Sequence, residues 1–199
     1  MKQALVLGCS HADGAEMGVG DYGRYNSYPV LLAERLGYVV NNLAISGGSN
    51  DAMFRIFEKE HLNYDIVIAC WTGHNRTEVW DSVDSVWIPF APGGHGGNLE
   101  AYMQQWIVHH TDDETGRLNK IKNIMSLNVL AQTHDIKVLN IDSFWPVHGY
   151  AWPSTVTWPV LTNFWAWSDA QGYSRTPWGH FDRDAHSAFA DYVLKNIAG

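Results

Sequence analysis

The 199-residue chain is short of charge, with only 17% of its residues Asp, Glu, Lys or Arg. Positive charge is scarcest: 13 Lys and Arg stand against 21 Asp and Glu, for a formal net charge of −8. No Lys/Arg cluster gathers what there is, which argues against nucleic acid or an anionic membrane as the main partner. No apolar run approaches the roughly 20 residues of a membrane span. Met1-Lys2-Gln3 leads straight into a strand-like run, leaving no room for the separate apolar segment of a signal peptide. Cysteine is nearly absent. Cys9 and Cys70 each follow an apolar run, so both read as buried free thiols, and a cytoplasmic location is expected. A GxGxxG turn after the first strand and a P-loop are also missing, so nothing supports a nucleotide, and no cofactor or metal is expected.

What the chain has is apolar material. It is 46% hydrophobic and carries ten tryptophans, six of them beyond residue 144. That composition is globular, and the length suits a single domain over residues 1–199 with a sizeable core.

Residues 2–8 read as a buried first strand, and 11–26 as a polar, Gly-rich loop. A helix is expected from Tyr28 to Leu36, with Pro29 in its first turn and Gly37 as its stop. Tyr38 to Asn42 is a short second strand. Ser46-Gly47-Gly48-Ser49 is a tight turn, after which Asn50 or Asp51 can cap a helix to about residue 60. Tyr64 to Trp71 is a third strand, nearly all apolar, as strands buried on both faces are. Residues 72–97 carry Pro89, Pro92 and Gly93-Gly94-His95-Gly96-Gly97 and read as a long loop. Leu99, Tyr102, Met103 and Trp106 recur at helical spacing, as do Leu118, Ile121, Ile124 and Met125 in a helix ending near His134. Ile136 to Ile141 is a fourth strand, and 142–179 is irregular and rich in Trp, Pro and Gly. A last amphipathic helix runs from Asp184 to Ile197, with Phe189, Val193 and Ile197 on one face. The alternating order predicts an α/β fold: a flavodoxin-like three-layer α/β/α sandwich with a central parallel sheet.

In such sheets, chemistry collects at the carboxyl ends of the strands. Ser10 falls just past strand one, in Gly8-Cys9-Ser10-His11. Asn42 to Asn50 follows strand two, Trp71-Thr72-Gly73-His74-Asn75-Arg76 follows strand three, and Gly179-His180-Phe181-Asp182-Arg183-Asp184-Ala185-His186 precedes the last helix.

These four segments together resemble the blocks of the SGNH/GDSL hydrolase superfamily, over residues 5–194. Gly8-Cys9-Ser10-His11 is similar to the block with the nucleophilic serine. The Asn-x-x-Ile-x-Gly run ending at Gly47 is similar to the second block, whose glycine gives an oxyanion N–H. Gly73-His74-Asn75 resembles a degraded Gly-x-Asn-Asp block, whose asparagine donates to the oxyanion. His180 resembles the histidine of the last block. There the family places an aspartate two or three residues earlier, where this chain has Pro177 and Trp178. A Ser-His dyad or a replacement carboxylate, from Asp182, Asp184 or Asp169, is then expected.

The resemblance implies catalytic roles for Ser10, His180, Gly47 and Asn75, with Ser10, Gly47 and Asn75 lining one pocket. His11, Trp71, Arg76 and Trp178 are the expected substrate-binding residues. Plainer readings stand beside these. Ser10 can close a turn, Gly47 can serve a positive φ, and Asn75 can be a loop asparagine. His186 competes with His180 as base, or is a satisfied core histidine. Arg76 pairs either an acidic substrate group or a surface carboxylate. His109-His110 with Asp112-Asp113 reads as a solvated helix end rather than a metal site. The Trp-rich segment 145–178 is either an aromatic wall for a sugar or acyl chain, or core filling. The expected activity is ester hydrolysis through an acyl-enzyme, on an acylated carbohydrate or other small ester. The alternative is a non-catalytic carbohydrate- or ligand-binding module on the same fold.

Overall fold

A computed structural model describes residues 1–18, 21–90, 105, 113–147, 150–160 and 162–197. The predicted Gly93–Gly97 cluster, the helix around Trp106 and the His109-His110 pair lie outside these residues. Four parallel strands form the central sheet: β1 (Gln3–Gly8), β2 (Val39–Asn42), β3 (Ile66–Trp71) and β6 (Lys137–Asp142), in the order β2-β1-β3-β6. The register sets Gly8 beside Cys70 and Trp71 beside Asp142, so the chain leaves β1, β3 and β6 at one edge.

Strand alternation sorts the core into two layers. Ala4, Val6, Ile66, Ile68 and Cys70 face a cluster with Tyr28, Phe164, Phe181, Phe189 and Val193. These come from α3 (Tyr28–Arg35), α6 (Phe164–Ala170), α7 (Arg183–Ile197) and the segment before α7. Leu5, Leu7, Val67, Ala69 and Trp71 face Met53 and Phe57 of α4 (Asn50–Glu60), and Ile124, Leu127 and Ala131 of α5 (Asp113–Thr133). Helices therefore cover both faces of a parallel sheet, the expected three-layer α/β/α sandwich. None of the described helices is long and apolar enough to cross a membrane.

Four local expectations change. The loop 11–26 contains two short helices, α1 (Ser10–Asp13) and α2 (Tyr22–Tyr25). Gly14 ends α1 at φ 76°, and a Cβ there would lie 2.0 Å from the Gly23 carbonyl oxygen, so the two turns touch through glycine. Residues 77–90 form an antiparallel hairpin, β4 (Thr77–Asp81) with β5 (Val86–Phe90), where a loop was expected. The irregular segment 142–179 holds α6, whose cap Asn163 accepts a hydrogen bond from the Ala166 N–H. At α4 the cap is Ser49, one residue before the expected pair, and its hydroxyl accepts from Ala52 N–H.

Candidate active site

Ser10 opens α1 directly after β1 and is 7% exposed. Its N–H belongs to the first helical turn, where no upstream carbonyl is available to it. Two neighbouring loops are tied to this turn. Asn42, at the end of β2, donates to the Ala12 carbonyl at 2.8 Å and accepts from Ala44 N–H at 3.0 Å. Arg24 donates to the Asn42 carbonyl and pairs with Asp13 at 2.6 Å. Ile45 N–H bonds the Gly8 carbonyl at 3.0 Å, which carries the Gly47 turn to the strand end beside Ser10. Gly47 has φ 78° and is exposed, with open space where a side chain would begin. Gly48 N–H is taken by Ile45 O at 2.8 Å, whereas the Gly47 N–H has no backbone partner among the described residues.

The third loop is held from α4. Buried Asn50 accepts from Thr72 N–H at 3.0 Å and donates toward the Thr72 and Gly73 carbonyls. Gly73 sits in a tight spot: a Cβ there would lie 3.0 Å from Asn75 Oδ1 and 3.1 Å from the Trp145 ring. Half-buried Asn75 follows at this same edge of the sheet. Buried Lys120 fixes the opposite wall, donating to Asp142 Oδ1 at 2.5 Å and to the Trp145 carbonyl at 2.7 Å. A buried ion pair of this kind is more useful for holding a geometry than for stability.

His180 lies on a tight hairpin before α7. Arg175 bridges Phe181, Thr176 N–H bonds the His180 carbonyl at 2.7 Å, and Gly179 turns the chain at φ 89°. The His180 ring sits 5.0 Å from the His11 ring, which places it against the residue after Ser10. Its Nδ1 lies 2.5 Å from Glu16 Oε2. Glu16 also takes a hydrogen bond from the Thr176 hydroxyl at 2.6 Å and one from Trp178 N–H at 3.2 Å. Burial pushes the Glu16 carboxyl up, but the bonds from Thr176, His180 and Trp178 outweigh it and hold the group below its ordinary value. A carboxylate on Nδ1 fixes the tautomer that keeps Nε2 as the acceptor. Glu16 itself has φ 66°, a left-handed conformation that costs a non-glycine residue about 1 kcal/mol or more and that recurs at functional sites.

The acid beside His180 is therefore Glu16, not one of the expected aspartates. Asp182 caps α7, accepting from Ala185 N–H at 3.1 Å. Asp169 pairs with Arg175. Asp184 lies in the first turn of α7. Sequence reasoning missed Glu16 because 164 residues separate it from His180.

His186 takes the core reading. It is 1% exposed, and its Nδ1 accepts the Tyr28 backbone N–H at 3.0 Å. Burial, and secondarily the neighbouring His180, pushes its pKa down to about 3. His11 is 1% exposed and caged by Phe144, Phe164, Trp165, Phe181, His180 and His186. Burial first, then the nearby His186, His180, Arg76 and Arg175, keeps it neutral by lowering its pKa well below the usual value. Its place is under the site rather than on its surface. Trp71, expected against substrate, is fully buried and donates its Nε1–H to Asn140 Oδ1 at 2.9 Å; it faces α4 and α5 because Val67, Ala69 and Trp71 share a strand face. Trp178 is 81% exposed and borders the Glu16–His180 pair. Arg76 is half-buried and stacks over Phe144 at 5.1 Å. The remaining tryptophans divide. Trp152, Trp158, Trp165 and Trp167 pack against the two cores, and Trp145 and Trp165 stand with Phe144 beside His74 and His11.

No family model matches the chain, and no curated protein matches it in sequence. Solved structures do match. The lipase Lip_vut3 from a goat rumen metagenome superposes with a TM-score of 0.61 at 12% identity, over 100% of this chain and 99% of that one. A member of the lipolytic protein G-D-S-L family from Veillonella parvula gives 0.54 at 10% identity, over 100% and 97%. A carbohydrate esterase family 2 enzyme from Corynascus thermopiles, which carries a carbohydrate-binding domain, gives 0.55 at 12% identity, over 100% and 67%. The fold of this chain is that of the SGNH/GDSL hydrolases. At these identities the likeness speaks for the fold and leaves the chemistry to the residues.

Proposed function

We propose that the chain is a serine ester hydrolase working through an acyl-enzyme, with Ser10 as nucleophile, His180 as base and Glu16 as the group that orients it. The observation that carries this reading is the Glu16–His180 hydrogen bond, made by a histidine whose ring lies 5.0 Å from that of His11, the residue after Ser10. A serine hydroxyl is a weak nucleophile until a base takes its proton, and the base works best when a third group fixes its tautomer. In the reaction, the Ser10 hydroxyl proton passes to His180 Nε2 as Oγ bonds the ester carbonyl carbon. The oxyanion that forms is met by the N–H groups of Ser10 and Gly47 and by the Asn75 side-chain amide. His180 returns the proton to the leaving alkoxide, and water then cleaves the acyl-enzyme by the same route.

The substrate class is a small ester. An acylated carbohydrate suits the tryptophans exposed around the site, Trp145 at 54% and Trp178 at 81%. One similar structure is a carbohydrate esterase and another a lipase, so the fold is compatible with either alcohol. The lack of an aspartate just before His180 favours a binding module, while the Glu16 carboxylate on its ring supports the enzyme. Turnover of p-nitrophenyl acetate and butyrate, with Ser10→Ala as control, is the test. Hydrolysis abolished in the variant supports the enzyme; no turnover of any ester by the folded protein returns the binding module.

A further inference from the structure

We propose that Arg76 anchors an anionic group of the substrate, so that the preferred ester carries a carboxylate near its scissile bond; this rests on the ester-hydrolase reading above. The chain has seven arginines, and their surroundings differ. Arg24, Arg35, Arg55, Arg117 and Arg175 are each paired with a carboxylate, to Asp13, Asp191, Glu78, Glu114 and Asp169. Arg183 donates to the Tyr22 hydroxyl. Arg76 alone has no hydrogen-bond partner for its guanidinium among the described residues, and its Nη1 is buried in that state. This occurs in a protein of net charge −8, where acidic partners are plentiful.

Its position gives the unpaired charge a use. Arg76 follows the proposed oxyanion donor Asn75 directly. Its guanidinium lies 5.1 Å over the Phe144 ring, which also neighbours the His11 ring at 4.8 Å. His11 in turn separates Arg76 from His180, and the positive charge of Arg76 helps keep it neutral. Stacking on Phe144 fixes the plane of the guanidinium and leaves its edge for a ligand. Its Nη1 is buried without a partner, and a guanidinium is a planar fork of donors that matches a carboxylate. A partly desolvated cation with no counter-charge gains from an anion that arrives with the substrate.

The test compares two ester pairs of matched shape. p-Nitrophenyl hemiglutarate against p-nitrophenyl valerate places the charge on the acyl side; 4-acetoxybenzoate against 4-acetoxybenzamide places it on the leaving group. The wild-type protein is expected to prefer the charged member of at least one pair by about tenfold or more in kcat/KM, the worth of one charge-assisted hydrogen bond. Arg76→Met is expected to bring that ratio to about one, and Arg76→Lys to keep part of it. No preference in either pair, or a preference that survives Arg76→Met, overturns the proposal while the ester-hydrolase reading stands. If no ester is turned over, that reading has failed and calorimetry of glutarate and 4-hydroxybenzoate decides Arg76. Binding of either that is lost in Arg76→Met supports the anchor, and no binding, or equal binding by the variant, overturns it.

Discussion

His180 and His186 are the same residue type, six positions apart, and their surroundings give them opposite chemistry. His180 sits on a hairpin at the sheet edge with its side chain 20% exposed and a carboxylate on Nδ1. His186 sits one turn into α7, 1% exposed, with a backbone N–H as its hydrogen-bond partner. The first has a carboxylate on Nδ1 that fixes its tautomer and leaves Nε2 as the acceptor. The second is held neutral by burial and acts as a hydrogen-bond acceptor for the start of α3. In the proposed mechanism, which histidine serves as the base follows from where the chain turns from loop to helix. Asp182 makes that turn by capping α7 between the two.

The sharpest way to break this contrast is at the group both sides depend on. Ser10→Ala is expected to lower kcat by about 10⁴-fold or more, as loss of the nucleophile does in serine hydrolases, with the fold unchanged by circular dichroism. His180→Ala is expected to lose activity on a similar scale, at least about 10³-fold, with little change in Tm. His186→Ala is expected to do the reverse. It leaves the Tyr28 N–H unpaired and opens a cavity, for a loss of about 2–4 kcal/mol, seen as a fall of roughly 5–15 °C in Tm, while the folded fraction keeps its kcat within a few-fold. A His186→Ala protein that is stable and inactive would reverse the assignment.

The smallest effect is a pH dependence. The His186 pKa is about 3 in the folded protein against an ordinary 6.5, so below 6.5 the unfolded chain binds a proton that the native state does not. Its contribution to stability is therefore full above pH 6.5 and is lost progressively as the pH falls toward 3. Buried His11, lowered by burial in the same way, adds to that slope. Thermal unfolding between pH 7 and pH 4 is expected to show Tm falling. His186→Asn, which keeps an acceptor for Tyr28 N–H, is expected to flatten the curve in part.

The same contrast explains what the sequence disclosed. Strands β1 and β3 were legible because runs such as Leu5-Val6-Leu7 and Ile66-Val67-Ile68 are apolar on both faces, and helices α3 and α7 because Pro29, Gly37 and the Phe189–Val193 spacing are local signals. Ser10, Gly47, Asn75 and His180 were reachable because each stands at a strand end or before a helix. Glu16 was not, since nothing local marks a loop glutamate in a left-handed conformation, and its partners lie in a hairpin at the far end of the chain. The β4–β5 hairpin had a signal in the alternation of Thr77 to Asp81, overshadowed by Pro89 and the glycines beyond. Trp71 was misplaced because adjacency to a motif was weighed above strand phase, which turns its ring toward α4 and α5.

In the proposed mechanism Glu16, acting through His180, makes Ser10 nucleophilic. The rate at which a fluorophosphonate modifies Ser10, followed by intact mass and peptide mapping in the wild type and in Glu16→Gln, tests it most directly. The account predicts a single adduct on Ser10 that forms at least about 30-fold more slowly in Glu16→Gln, within the range seen when an orienting carboxylate is neutralised. Modification elsewhere, or a Ser10 rate untouched by Glu16→Gln, would contradict it.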